Sequence, residues 1–224
     1  EKAGPNVGIL SLTHGNEPAG LHAQEQFLQL FGIKTLQRGK VFLLQINPLA
    51  YYRNQRFIDV NMNRIGKYLA THKGYEIERV KELKPYLDQL DIILDIHSMS
   101  TPISDTIGIT ATKYQNIAEQ ILDVDILLVN DNFCSEGSIT SYVTGRGGIG
   151  FGVECGSHQD QSASKKALEI ILAVLRYAQM VPILGDRKKI KSPHSVFKFF
   201  QEIFPKTEQF HYLKAYSNFY RLAP

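Results

Sequence analysis

A histidine and a glutamate three positions apart, the spacing of a shared metal ion, stand near the start of the chain in Thr13-His14-Gly15-Asn16-Glu17-Pro18-Ala19-Gly20. A neutral imidazole and a carboxylate at this spacing can both reach one ion. With a second histidine from elsewhere they make a set that holds catalytic zinc and leaves a coordination position open. Read alone, the pair is more often a loop histidine beside a glutamate that favours a helix start. A third ligand and a base are needed to decide. His97 ends the apolar stretch Asp91-Ile92-Ile93-Leu94-Asp95-Ile96-His97 and is the candidate third ligand. Asp95, on the same face of that stretch, could orient an imidazole from behind. Glu154 ends another such stretch, Phe151-Gly152-Val153-Glu154-Cys155. A carboxylate there is costly unless paired or used. Its two readings are a general base that takes a proton from an attacking water, and an ion pair with a nearby arginine.

Arginines are supplied by the polar segment 51–74, which holds Arg53, Arg56 and the pair Asn63-Arg64. Guanidinium groups grip carboxylates bidentately and donate to a developing oxyanion; on a loop they also serve as plain solvated charge. Arg146 lies among glycines in Thr144-Gly145-Arg146-Gly147-Gly148, with Tyr142 one helical turn before it. The glycines permit close backbone approach or simply a turn. Tyr142 is ordinary packing unless the arginine is functional.

These residues need elements to position them. Residues 7–12 read as a buried strand, and Pro18 suits the first turn of a helix over 18–31 whose apolar face holds Ala23, Phe27, Leu30 and Phe31. Strands are expected at 40–47, stopped by Pro48, and at 91–97, 106–112, 126–129 and 151–155. Helices are expected at 76–90, kinked or split by Pro85, at 116–122, and at 162–180 with Ser162 as N-cap. Alternating strands and helices predict an α/β fold: a mostly parallel mixed sheet with helices on both faces. In such sheets the strand-to-helix turns lie at the carboxyl edge, where ligands bind. His14, Glu17, His97 and Glu154 are therefore expected at one edge. A structureless segment as long as 51–74 is usually functional.

The texture changes after Pro182. Residues 1–182 read as the catalytic domain and 183–224 as the start of a C-terminal β-rich region, with Ser195-Val196-Phe197-Lys198-Phe199 as its first strand-like piece. The chain starts at Glu1, close before the first strand and without Met, and stops at Pro224 without closing that region. A longer protein is expected at both ends.

With 224 residues, 43% hydrophobic and 21% charged, the composition is that of a soluble globular protein. A net charge of +3 with no basic run interleaved with aromatics argues against nucleic acid. No stretch is long and apolar enough for a membrane span. The two cysteines, Cys134 and Cys155, make no disulfide framework and suggest a reducing, cytoplasmic setting.

Taken together, the segments THGNEPAG (13–20), NPLAYYRNQRFIDVNMNR (47–64), DIHS (95–98) and GVECG (152–156) resemble the aspartoacylase and succinylglutamate desuccinylase family, which has the zinc carboxypeptidase-like fold. The resemblance runs from about residue 5 to residue 180 and then thins. It implies His14, Glu17 and His97 as ligands of one zinc ion per chain, Glu154 as the catalytic glutamate and Arg56 as the group that polarises the scissile carbonyl. It further implies Asn63 and Arg64 as the clamp on the substrate carboxylate. Arg146 and Tyr142 would be a second clamp, at the cost of a two-residue gap before Glu154. The family motif reads Asp-Leu-Asn-Arg where this chain has Asn61-Met62-Asn63-Arg64. The implied activity is zinc-dependent removal of the acyl group from a small N-acyl amino acid, with room for a homo-oligomer. A zinc carboxypeptidase acting on short peptides and a non-catalytic binding module on the same fold are the alternatives.

Overall fold

The computed structural model describes residues 3–32, 36–102, 105–131, 137–182 and 195–199. Its centre is a sheet of seven strands in the order β2-β1-β3-β6-β4-β5-β7: β1 (Asn6–Ser11), β2 (Lys40–Gln45), β3 (Ile92–Met99), β4 (Ile107–Thr110), β5 (Ile126–Val129), β6 (Ile149–Ser157) and β7 (Ser195–Lys198). The first four in that order run parallel; β4 meets β6 antiparallel, and β4, β5 and β7 are parallel to one another. The mixed sheet expected from the alternating elements is therefore present.

Both faces are covered, which is why β1 and β3 read as nearly continuous apolar runs. On one face, α1 (Ala19–Phe31) and α6 (Ala163–Tyr177) pack with α4 (Gln115–Ile121) around Ile9, Leu94, Ile96, Phe151 and Val153. On the other, α3 (Tyr75–Leu87), α5 (Ile139–Gly145) and a 3₁₀ turn (Met62–Lys67) bury Leu10, Ile46, Met62, Leu83 and Ile93. Burying a side chain such as Leu94 contributes about 1.5–3 kcal/mol. The sheet is thus a rigid base for whatever its edge carries.

Several elements differ from expectation. Pro48 ends no more than the strand: it opens a short helix, α2 (Pro48–Tyr52), with Asn47 as N-cap accepting from the Ala50 amide. Pro85 leaves α3 unbroken, and the helix runs on to Leu87. Residues 195–198 pair with β5 in the main sheet. The rest of 183–224 lies outside the described residues, as does Cys134. Among the described residues no helix is long and apolar enough to cross a membrane.

Candidate metal centre and active site

β1, β3 and β6 are adjacent and parallel, so their carboxyl ends form one edge. His14 and Glu17 lie in the turn after β1; His97 and Glu154 face each other in the β3–β6 register. Leu12 leads out of β1 with φ 58°, a left-handed conformation that a buried leucine holds only under strain, as turns at functional sites often do. Gly15 follows because there is room for nothing larger: a Cβ would run into the backbone of Ala50, Tyr51 and Gln55. The Gly15 amide donates to the Arg56 carbonyl at 3.1 Å, so the turn and the arm bearing Arg56 are joined.

His14, Glu17 and His97 each present a ligand atom, all within 4.8 Å of one another and all buried. The hydrogen bonds behind them fix which nitrogens these are. Asn61 Oδ1 accepts from the Asn63 amide at 2.8 Å, which identifies it as the oxygen. The His14 Nε2 3.1 Å away must therefore be the donor. That leaves the Nδ1 lone pair of neutral His14 facing Glu17 Oε1 at 2.9 Å, acceptor against acceptor. His97 is arranged alike: Nε2 lies 3.1 Å from Asp95 Oδ2, and Nδ1 lies 2.8 Å from Glu17 Oε2. Asp95 is itself held by the Thr13 hydroxyl at 2.7 Å. Two imidazole nitrogens thus converge on one carboxylate, and the lone pair of His14 meets no donor there. Two nitrogens and one carboxylate oxygen, backed by Asn61 and Asp95, suit a divalent ion of the zinc type.

The electrostatics agree. Burial lowers the His14 pKa, so His14 is neutral. Burial would also lower His97, but the charge of Asp95 and the hydrogen bonds His97 donates to Asp95 and Glu17 raise it well above the usual value. Burial would raise Glu17, yet the two imidazoles set against it, His14 and His97, hold it ionised far below the carboxylate range. Asp95 is likewise kept ionised against its burial by the charge and hydrogen bond of His97 and by Thr13. Glu154 goes the other way: burial pushes its carboxyl up to about 7, and its Oε2 is buried with no hydrogen-bond partner. No arginine pairs with it among the ion pairs of the described residues. A proton-accepting group poised near neutrality, unpaired and next to a metal-type cluster, is what a general base requires.

A family model for the succinylglutamate desuccinylase/aspartoacylase catalytic domain matches residues 3–178. The chain belongs to this family. Curated relatives include a probable aspartoacylase of Prochlorococcus marinus, 31% identical over 44% of this chain and 35% of its own length. An N-acyl-aromatic-L-amino acid amidohydrolase (carboxylate-forming) of Rattus norvegicus is 31% identical over 41% of this chain and 33% of its own. The matched stretches span about a third of those relatives. Among solved structures, the succinylglutamate desuccinylase/aspartoacylase from Rhodobacter sphaeroides superposes with a TM-score of 0.70 at 18% identity, over 87% of this chain and 62% of that one. At that identity the likeness is one of fold.

Within this family fold, the other candidates separate. Arg56 reaches the cluster, its Nη1 donating to Glu17 Oε1 at 2.8 Å. Asn63 and Arg64 sit on the same arm, in the 3₁₀ turn that starts just after Asn61, with Arg64 Nη1 donating to the Asn63 carbonyl at 2.8 Å. Tyr142 and Arg146 are not brought to the cluster. The Tyr142 hydroxyl donates to Asp88, and Arg146 lies 3.8 Å from the same carboxylate. The reason is the length of β6. It starts at Ile149, after Arg146, and Glu154 comes five residues later, roughly 17 Å along the strand. Tyr142 and Arg146 thus belong to the amino edge. Sequence reasoning passed over Thr13, Asn61 as a partner of His14, and Glu76. Only Asn61 left a signal, as the departure from the family motif.

Proposed function

We propose that this chain carries the catalytic site of a zinc-dependent amidohydrolase that removes the acyl group from an N-acyl amino acid. One observation carries the reading: His14, Glu17 and His97 converge beside the orphaned carboxylate of Glu154 at the ends of three adjacent parallel strands. A zinc ion held there, one per chain, would supply the Lewis acidity that makes a water reactive near neutral pH.

The chain's own residues do the rest. Glu154, raised to about 7, takes the proton of the attacking water and passes it to the leaving amine. Arg56, 48% exposed, is free to swing from Glu17 Oε1 to the developing oxyanion. Asn63 and Arg64 grip the free carboxylate of the amino acid. Asn61 and Asp95 hold the two imidazoles in the tautomers that face the ion. The relatives' names, an aspartoacylase and an amidohydrolase for N-acyl aromatic amino acids, support the reaction type and differ in the amino acid. A cytoplasmic setting rests on cysteine usage alone.

The test is amine release from a panel of N-acyl amino acids by the full-length protein. Hydrolysis of at least one, abolished in Glu154→Gln with zinc still bound, supports the reading. Normal hydrolysis by that variant contradicts it. Cleavage of short peptides but of no N-acyl amino acid would favour a carboxypeptidase.

A further inference from the structure

Glu76 is completely buried in the first turn of α3, and its carboxylate receives four hydrogen bonds. Oε1 accepts from Asn47 Nδ2 at 2.9 Å and from the Ile58 amide at 2.6 Å. Oε2 accepts from the Asp59 amide at 2.9 Å and the Val60 amide at 3.3 Å. Three consecutive backbone N–H groups of the polar arm therefore end on one side chain. The arm answers in kind, with Asp59 Oδ2 accepting from the Tyr75 amide at 2.7 Å at the start of the same helix. Asn47 extends the link: its own amide donates to the Leu12 carbonyl at 3.0 Å, beside the turn that carries His14.

The placement of these bonds matters more than their number. The pinned residues 58–60 stand between Arg56 and Asn61, and Asn63 and Arg64 follow within the next turn. The arm is also tied by the Gly15–Arg56 backbone bond, by the Gly66 amide on the Gly137 carbonyl at 2.7 Å, and by Val60, Met62 and Ile65 packed into the core. Without the carboxylate, the middle of the arm would hold three amides with no partner, each costing more than an ordinary hydrogen bond contributes. The arm would then shift to find water, and Asn61 would move off His14.

We propose that Glu76 is a positioning residue for the site. It sets the arm so that Asn61 meets His14, Arg56 meets the cluster and Asn63-Arg64 present a fixed clamp; the catalytic part of this rests on the hydrolase reading above. Only a carboxylate fits the role. A glutamine in the same place turns one acceptor into a donor and leaves N–H facing N–H whichever way the amide is turned.

The experiment has three readouts on the full-length protein and Glu76→Gln. Amide hydrogen exchange should show residues 58–60 protected in the wild type, although Asp59 is exposed, and at least about tenfold faster in the variant. Zinc affinity should fall by about ten- to a hundredfold, as when support behind a ligand is lost. Turnover should fall and KM rise together, since the arm carries both Arg56 and Arg64, while Glu76→Asp, keeping the charge, should recover part of each. A purely structural residue would lower the melting temperature and leave zinc affinity, kcat and KM alone below it. The proposal is overturned if the wild-type amides of residues 58–60 exchange at open-loop rates, a result that needs no variant. It is equally overturned if Glu76→Gln exchanges fast there yet keeps wild-type zinc affinity and kinetics. If the wild type hydrolyses no N-acyl amino acid, the hydrolase reading fails while the exchange and zinc readouts still judge Glu76.

Discussion

Two charged clusters occupy opposite edges of the same sheet. At the carboxyl edge, His14, Glu17, His97, Asp95 and Glu154 are buried or nearly so, and the arrangement leaves a lone pair of His14 against a carboxylate and an oxygen of Glu154 without a partner. At the amino edge, Lys84, Asp88, Tyr142 and Arg146 lie in reach of solvent, and every charge meets its opposite: Lys84 donates to Asp88 at 2.6 Å, and Tyr142 and Arg146 turn to the same carboxylate. The amino-edge cluster raises Lys84 and lowers Asp88, each toward the charged form it already has at neutral pH. The carboxyl-edge cluster moves Glu154 toward neutral pH, where it can trade a proton. Satisfied, exposed charge is structural; buried charge left short of partners marks the site.

Breaking the carboxyl edge should cost most. Glu154→Gln is expected to reduce turnover by about 10²–10⁴, the usual worth of a general base, with metal content unchanged by elemental analysis. Arg56→Ala should follow, lowering kcat by roughly 10²–10³ if its guanidinium serves the oxyanion. Steady-state kinetics separates this from a binding role, which would raise KM alone.

The same buried carboxyl predicts a stability effect of definite sign in metal-free protein. The folded pKa of Glu154, about 7, lies above the unfolded value of 4.5, so the charged form is the one folding disfavours. The contribution of Glu154 to stability should therefore fall as pH rises from 4.5 toward 7 and then level off, by about 3 kcal/mol at most. Glu154→Gln should lack that fall relative to wild type and be more stable than wild type at pH 8, as measured by denaturant melts. At the amino edge the expected effect is smallest. Arg146→Ala and Tyr142→Phe should leave kcat/KM within about twofold, since exposed ion pairs contribute little. A large loss of activity in either would erase the contrast between the edges.

Much of this was legible in the sequence, for reasons that also explain what was not. His97 and Glu154 close apolar runs that only a buried strand explains, and a strand end in a parallel sheet fixes its edge. The sheet followed from alternating elements in the same way. Tyr142 and Arg146 were assigned by motif, and a motif does not say on which side of a strand's start a residue falls; β6 begins after Arg146. The helix α2, five residues long, is too short for a 3.6-residue period to show. Glu76 looked like any acidic residue in a first helical turn. Its role depends on three amides of a segment without periodicity, and backbone groups leave no mark in a sequence.

The central claim is that His14, Glu17 and His97 hold one divalent ion. The most direct measurement is a calorimetric zinc titration of the metal-free protein, wild type beside Glu17→Ala, in buffers of different ionisation enthalpy. The account predicts one ion per chain for the wild type, proton release as the ion displaces the proton held on His97, and no tight binding in the variant. Tight binding that survives the loss of Glu17, or no binding by the wild type, would contradict it.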